Sequence, residues 1–151
     1  MRSRDDAVPA GAAVERALTL GLCGIGERPG ARTWSARRPA HDAEERRDRR
    51  IARFSAAPDG SFVWTRDVDG LLWLGRMTGA VRRDTASEAK AVDLVHVRPC
   101  EWLPRPVDPQ RVPPAVRATF ARGGRNWQQI HDPDVSALSA RLWEQRGSDP
   151  R

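Results

Sequence analysis

The sequence predicts an α+β fold, a small mixed β-barrel of about five short strands with peripheral helices. Three observations predict it. Residues 61–66 (SFVWTR), 71–77 (LLWLGRM) and 91–98 (AVDLVHVR) are short, strand-forming and bounded by turn signals. A mixed-charge stretch over 40–54 and an amphipathic stretch after Asp132 carry helical rather than strand periodicity. Prolines at 104, 106, 109, 113 and 114 forbid a regular ladder between the last two strands, so an extended connector joins them. No internal repeat is present.

Length and charge bound the rest. The 151 residues leave room for one domain plus tails. Hydrophobic content of 39% beside 30% charged residues suits a modest core with polar flanks. The net charge of +6 suits a polyanion, because arginine on phosphate releases counterions. All but one of the 26 basic residues, Lys90, are arginine, which is equally the mark of a GC-rich genome. Cys23 and Cys100 lack metal-ligand spacing, and His41, His96 and His131 are too scattered to complete a zinc site. Two buried thiols in a reducing compartment are expected. No apolar run spans a membrane, and Glu15 and Arg16 interrupt any signal-peptide core. A cytoplasmic protein without cofactor or metal is the expectation.

In chain order, residues 1–16 read as a flexible tail, 17–131 as the barrel domain, 132–146 as a C-terminal helix and 147–151 as a tail. Residues 17–25 (ALTLGLCGI) read as a first strand. Its glycines mark either the tight packing of a barrel corner or a backbone that approaches a ligand; GLCGIG is not a dinucleotide fingerprint. From 40 to 54 the charges mix in sign, Glu45 and Arg49 form a favourable i,i+4 pair, and Ala43, Arg47, Ile51 and Phe54 share one side. A solvated helix leaning on a sheet follows. Pro58-Asp59-Gly60 ends it.

The hairpin comes next. Phe62 and Trp64 fall on one face of residues 61–66, with Val63 and Thr65 on the other. Asp67-Val68-Asp69-Gly70 supplies the turn. In 71–77, Leu71, Trp73 and Gly75 oppose Leu72, Leu74 and Arg76. Residues 82–90 read as a surface loop. In 91–98 the face with Val95 and Val97 points inward, leaving His96 and Arg98 on the other. Pro99 and Trp102-Leu103 form a corner. Residues 112–120 read as a short helix begun by proline, Gly123-Gly124 breaks it, and 125–130 (RNWQQI) reads as a closing strand. Asp134 is expected to cap the last helix, where Val135, Leu138 and Leu142 recur at helical spacing. That helix docks on the domain or, alternatively, binds a partner.

With these residues in view, the chain resembles a PUA-like (EVE-like) barrel, and more narrowly the non-nuclease N-terminal module of methylation-dependent restriction-system proteins. The resemblance rests on the Gly-rich opening GLCGIG, the hairpin VWTRDVDGLLWLGRMTG, and the run DLVHVRPCEWLPRPVDPQRVPPAVRATFARGGRNWQQI. It covers about residues 18–131. Thr119 or Asn126 stands for the threonine usual before the closing strand. The resemblance implies a nucleic-acid reader, often of a modified or flipped base, in restriction-modification or antiviral defence. It favours DNA over RNA, with a nuclease or other effector protein as a further partner.

The residues fit that implication in their own right. A flipped base needs aromatic faces and polar groups on its pairing edge. Trp34, Trp64, Trp73, Trp102 and Trp127 provide faces, with Trp34 and Trp64 the better cage candidates and Trp73 and Trp102 the better core candidates. Arg66, Arg98, Arg117, Arg122 and Arg125 provide cations for phosphates, and Asn126, Gln128 and Asp93 are groups able to read an edge. Residues 117–127 carry three arginines and no acid. No Ser/His/Asp set, carboxylate pair or nucleotide loop stands out, so the expectation is a non-enzymatic nucleic-acid-binding module. The alternative is a protein-interaction module that uses the C-terminal helix.

Overall fold

The computed structural model describes residues 1–3, 5–28, 40–123 and 127–147. The chain runs α1 (Ala12–Leu20), β1 (Leu22–Ile25), α2 (Ala40–Ala56), β2 (Phe62–Arg66), β3 (Leu72–Met77), β4 (Arg82–Arg83), α3 (Ser87–Ala91), β5 (His96–Trp102), α4 (Pro114–Ala121) and α5 (Pro133–Glu144), with a 3-10 turn at Gln145–Gly147. The strands form one antiparallel sheet in the order β1-β5-β3-β2, with β4 also on β5. The sheet curls into a half-barrel, and the fold is α+β.

β5 holds this sheet together, because it alone pairs with three strands. Cys23 lies opposite Arg98, Met77 opposite Cys100, Gly75 opposite Trp102 and Arg82 opposite Val97. Side chains alternate across the pleat. One face therefore gathers Cys23, Ile25, Val63, Met77 and Cys100 against Phe54 of α2. The other face divides between two covers. At one end Leu22 and Val97 meet Ala13 and Ala17 of α1. At the other, Leu74 lies with Val116 of α4 and Trp143 of α5, joined by Phe62, Trp64 and Leu72. Both faces are covered along part of β5, which buries Val97, Arg98 and Cys100 and leaves Pro99 and Glu101 exposed.

The glycines of the first strand serve this packing. A Cβ on Gly24 would lie 2.6 Å from the His96 carbonyl oxygen. On Gly75 it would lie 2.6 Å from Trp102 Cε3 and 2.7 Å from Cys100 Sγ. β1 thus approaches β5, and β3 makes room for an indole ring; tight packing accounts for the pattern.

The hairpin and α2 form as the sequence predicts. Asp67 Oδ1 accepts from Asp69 N and Leu71 N, which closes the turn between β2 and β3. Arg49 meets Glu45 at 2.9 Å across one turn of α2.

Other expectations need correction. Residues 1–16 are not simply a tail: α1 begins at Ala12, and Ala13, Val14 and Ala17 are buried. Small residues make that stripe, and the adjacent Glu15 and Arg16 hide it; Arg16 itself pairs with Asp84 at 3.1 Å. Gly21, left-handed at φ 65°, ends α1, so β1 starts at Leu22 rather than Ala17. Residues 82–90 hold β4 and most of α3 rather than a loop alone. β5 begins at His96, not Ala91, because Asp93 turns left-handed at φ 54° and its Oδ1 accepts from Glu27 N and Arg28 N. β5 then passes through Pro99. The Pro99 carbonyl accepts from Thr78 N at 3.0 Å, so its donor-less side faces residues 78–81, between β3 and β4, where no ladder donor is required. In the expected closing strand, residues 124–126 lie outside the described ones, and 127–130 are not strand. Trp127 is left-handed at φ 55°, which breaks an extended run. Asp132, not Asp134, caps α5: its Oδ1 accepts from Asp134 N at 2.9 Å, since Pro133 takes the first helical position. No helix among the described residues is long and apolar enough to cross a membrane.

Candidate functional site

Arginine dominates the surface chemistry, and several arginines are balanced locally. Arg16 meets Asp84 at 3.1 Å, Arg28 meets Asp5 at 3.1 Å and Arg98 meets Asp59 at 2.7 Å. Arg47 lies between Glu44 and Asp48, Arg49 on Glu45, Arg83 on Glu27 and Arg146 on Glu101. The interleaved acids of α2 neutralise much of that helix.

Around α4 no such pairing is found among the described residues. Between Asp108 and Asp132 the sequence has no acid and four arginines, Arg111, Arg117, Arg122 and Arg125. Arg66, at the end of β2, joins them: its Nη1 donates to the Phe120 carbonyl at 3.4 Å, and its guanidinium lies 5.8 Å from the Phe120 ring centre. Arg117 donates to the Pro109 carbonyl at 3.5 Å, and Arg122 is the exposed C-cap residue of α4. Among the described residues none of Arg66, Arg111, Arg117 and Arg122 has a carboxylate partner. The negative end of the α4 dipole favours the cation of Arg122, its C-cap residue. The result is an exposed, uncompensated cationic rim.

Beside that rim lies an open cleft of about 300 Å³ between α4 and the chain entering α5. Ala118, Thr119 and Arg122 form one wall, and Gln128, Gln129, His131 and Asp132 the other. Thr119 is nearly buried, and its hydroxyl donates to the Ala115 carbonyl at 2.8 Å, which ties it to its own helix. Arg122, Gln128, Gln129 and His131 are exposed.

The sequence-derived candidates separate sharply. Trp34, Arg125 and Asn126 lie outside the described residues. Arg98 is no phosphate ligand. It is 2% exposed and donates to the carbonyls of Gly79 (2.7 Å), Phe54 (3.0 Å) and Ala57 (2.6 Å) as well as to Asp59. Its face of β5 looks at the C-terminal end of α2, where carbonyls lack helical partners, and the five-donor guanidinium satisfies them. Trp64, expected in a cage, is packed with the cluster beneath α4 and α5, and its Nε1 donates to the buried Ser139 hydroxyl at 3.1 Å. Trp73 donates to Asp67 Oδ2 at 2.8 Å, and Trp102 staples β5 to β1 through the Leu22 carbonyl at 2.9 Å. Trp127 stands edge-on to Phe54, with centroids 4.8 Å apart. Among the described residues the ring pairs are Phe54–Trp127 and Phe62–Trp143, so no two tryptophans face each other. Asp93 is buried and accepts from the backbone and from Ser3, so it reads no external edge. Arg66 and Arg122 remain, together with Arg117 and Gln128. Gln129, His131 and Asp132 were not singled out from sequence; the end of the acid-free run at Asp132 was the available signal.

Two further polar groups bear on chemistry. Glu27 Oε1 lies 2.6 Å from His96 Nε2 and also meets Arg83. The Arg83 hydrogen bond, with His96 behind it, holds the Glu27 carboxyl below its ordinary value. Among the described residues no hydroxyl or thiol hydrogen-bonds to His96. Burial pushes the Cys23 thiol up to about 12 and raises Cys100 as well, so neither supplies a thiolate near neutral pH. Compared with protein-family models, curated proteins and solved structures, the chain matches none.

Proposed function

We propose that the chain is a non-catalytic nucleic-acid-binding protein of PUA-like kind that holds phosphates with Arg66, Arg117 and Arg122 around α4. The observation that supports this is the contrast in charge balance. Elsewhere on the described surface Arg16, Arg28, Arg47, Arg49, Arg83 and Arg146 meet carboxylates, whereas around α4, in a stretch without acids, Arg66, Arg111, Arg117 and Arg122 have no carboxylate partner among the described residues. Phosphate contacts of this kind position a strand without reading its sequence. DNA is the favoured partner because the chain resembles a DNA-directed module; the arginines themselves would take either nucleic acid. The tryptophan cage is not part of this reading, since the described tryptophans are engaged within the fold. A partner-binding C-terminal helix has less support: Ser139 and Trp143 of α5 are buried, and Val135 and Leu142 pack with them.

The test is fluorescence anisotropy with labelled oligonucleotides over a salt series. Each phosphate neutralised adds about 0.7 to 0.9 to the slope of log affinity against log salt. The double variant Arg66→Ala/Arg122→Ala should bind more weakly and lose roughly 1.4 to 1.8 of that slope. Arg49→Ala, whose charge already meets Glu45, should leave both unchanged. Wild-type affinity and slope in the double variant would overturn the proposal.

A further inference from the structure

The cleft beside the cationic rim is polarised, and this carries the reading of the rim one step further, on which it rests. Arg122, without a carboxylate partner, stands on the α4 wall. The opposite wall presents Asp132 with the exposed amides of Gln128 and Gln129. Asp132 uses Oδ1 to cap α5, and Oδ2 has no hydrogen-bond partner among the described residues. A cleft meant only for phosphate would gain nothing from a carboxylate. A nucleotide, however, is itself polarised: an anionic phosphate at one end, and at the other a base edge with donors and acceptors.

We infer that the cleft between α4 and residues 128–132 takes one unpaired nucleotide of a single strand and selects bases that carry an exocyclic amino group. The phosphate sits at Arg122, and Gln128 or Gln129 pairs with the base edge. Asp132 accepts from the amino group, as carboxylates do from cytosine N4. Cytosine, adenine and guanine offer that donor. Thymine and uracil offer a carbonyl there, which a carboxylate repels. A duplex hides these edges in pairing, whereas a single strand splays them out. A free nucleotide brings the same base and phosphate but lacks the neighbouring phosphate that Arg66 would hold.

The experiment compares labelled oligo-dC, oligo-dA and oligo-dT with a mixed-sequence duplex, using the full chain and Asp132→Asn. Asparagine caps a helix as well as aspartate, so the variant keeps α5 intact, and a thermal melt checks this. Wild type should bind dC and dA strands roughly fivefold or more tighter than dT, the lower end of what one well-made base contact gives. Asp132→Asn should close that gap, because an amide donates to a carbonyl as readily as it accepts from an amino group. It should also bind dT more tightly than wild type does, with one negative charge removed. Equal wild-type affinity for dC and dT, an undiminished gap in the variant, or tighter binding of the duplex would overturn the inference. So would dCMP that competes at the concentrations at which the strand itself binds, since the ligand would then be the free nucleotide. If binding is salt-dependent and lost in Arg66→Ala/Arg122→Ala yet shows no base preference, the cleft inference fails and the rim reading stands. If neither strand nor duplex binds at low salt, both fail.

Discussion

Replacing Arg98 with methionine separates two roles that an arginine in a strand can have. Had Arg98 been a phosphate contact, its loss would weaken binding and leave the fold untouched. The structure instead surrounds it with carbonyl oxygens of Gly79, Phe54 and Ala57, while Asp59 is 69% exposed. Methionine keeps most of the apolar stem and removes every donor. A buried carbonyl left without a partner costs about 1–3 kcal/mol. Three of them cannot add in full, because methionine also relieves the desolvation of a buried cation. The exposed Asp59 pair adds little. A net loss of about 3 kcal/mol follows from these terms. For a chain of this length each kcal/mol moves the melting point by about 2–4 °C, so Arg98→Met should melt about 6–12 °C lower. Arg98→Lys, with its charge kept but too few donors in the right plane, should fall in between. Thermal and urea unfolding followed by circular dichroism reads both. A melting point for Arg98→Met within about 2 °C of wild type would refute this account of β5 and α2.

Other consequences are equally direct. Gly75→Ala drives a methyl into Trp102 and Cys100 and should cost about 1–3 kcal/mol in urea unfolding, with the tryptophan emission of the native state altered. Cys23 and Cys100 are buried thiols with raised pKa, so a thiol reagent at neutral pH should label neither in the native protein and both in denaturant. Asp5, Glu27 and Asp84 are all held below their ordinary values, by hydrogen bonds from Ala7, Arg83 and Ala86 respectively before any other favourable contact. Their folded values lie under their unfolded ones, so they add stability above about pH 4.5, which is lost as pH falls through the folded values. Melting points taken from pH 7 to pH 3 should show that acid limb, and Glu27→Gln should make it shallower.

Sequence patterning reached the elements that build their own structure locally. The β2–β3 hairpin has alternating faces and an Asp67 turn that hydrogen-bonds to itself, and α2 has its Glu45–Arg49 pair and apolar stripe; each carries a local signal of its own. Elements that form through remote contacts were hidden. α1 is short, and Ala13 and Ala17 look like linker residues until Leu22 and Val97 arrive to pack on them. β4 is a two-residue pairing that exists because β5 offers an edge beyond the end of β3. The start of β5 is set by Asp93, whose carboxylate holds Glu27 and Arg28 from the other end of the domain.

The candidate site divides along the same line. A residue's type told what it can bind, and only its position tells whether something inside the fold already binds it. Arg98 and Trp64 were sensible candidates by chemistry, yet each had internal partners, α2 carbonyls for one and Ser139 for the other, that lie 44 and 75 positions away in the chain. Arg66 and Arg122 survive because a 23-residue stretch from Pro109 to His131 carries no acid to neutralise them. That absence is legible in the sequence, and it separates these arginines from the chemically identical Arg47 and Arg49 on α2, which meet acids of their own helix. Exposed charge that no nearby acid neutralises is charge available for a partner. This is why the salt dependence of binding, compared between the Arg66→Ala/Arg122→Ala and Arg49→Ala variants, tests the functional reading more directly than any tryptophan substitution.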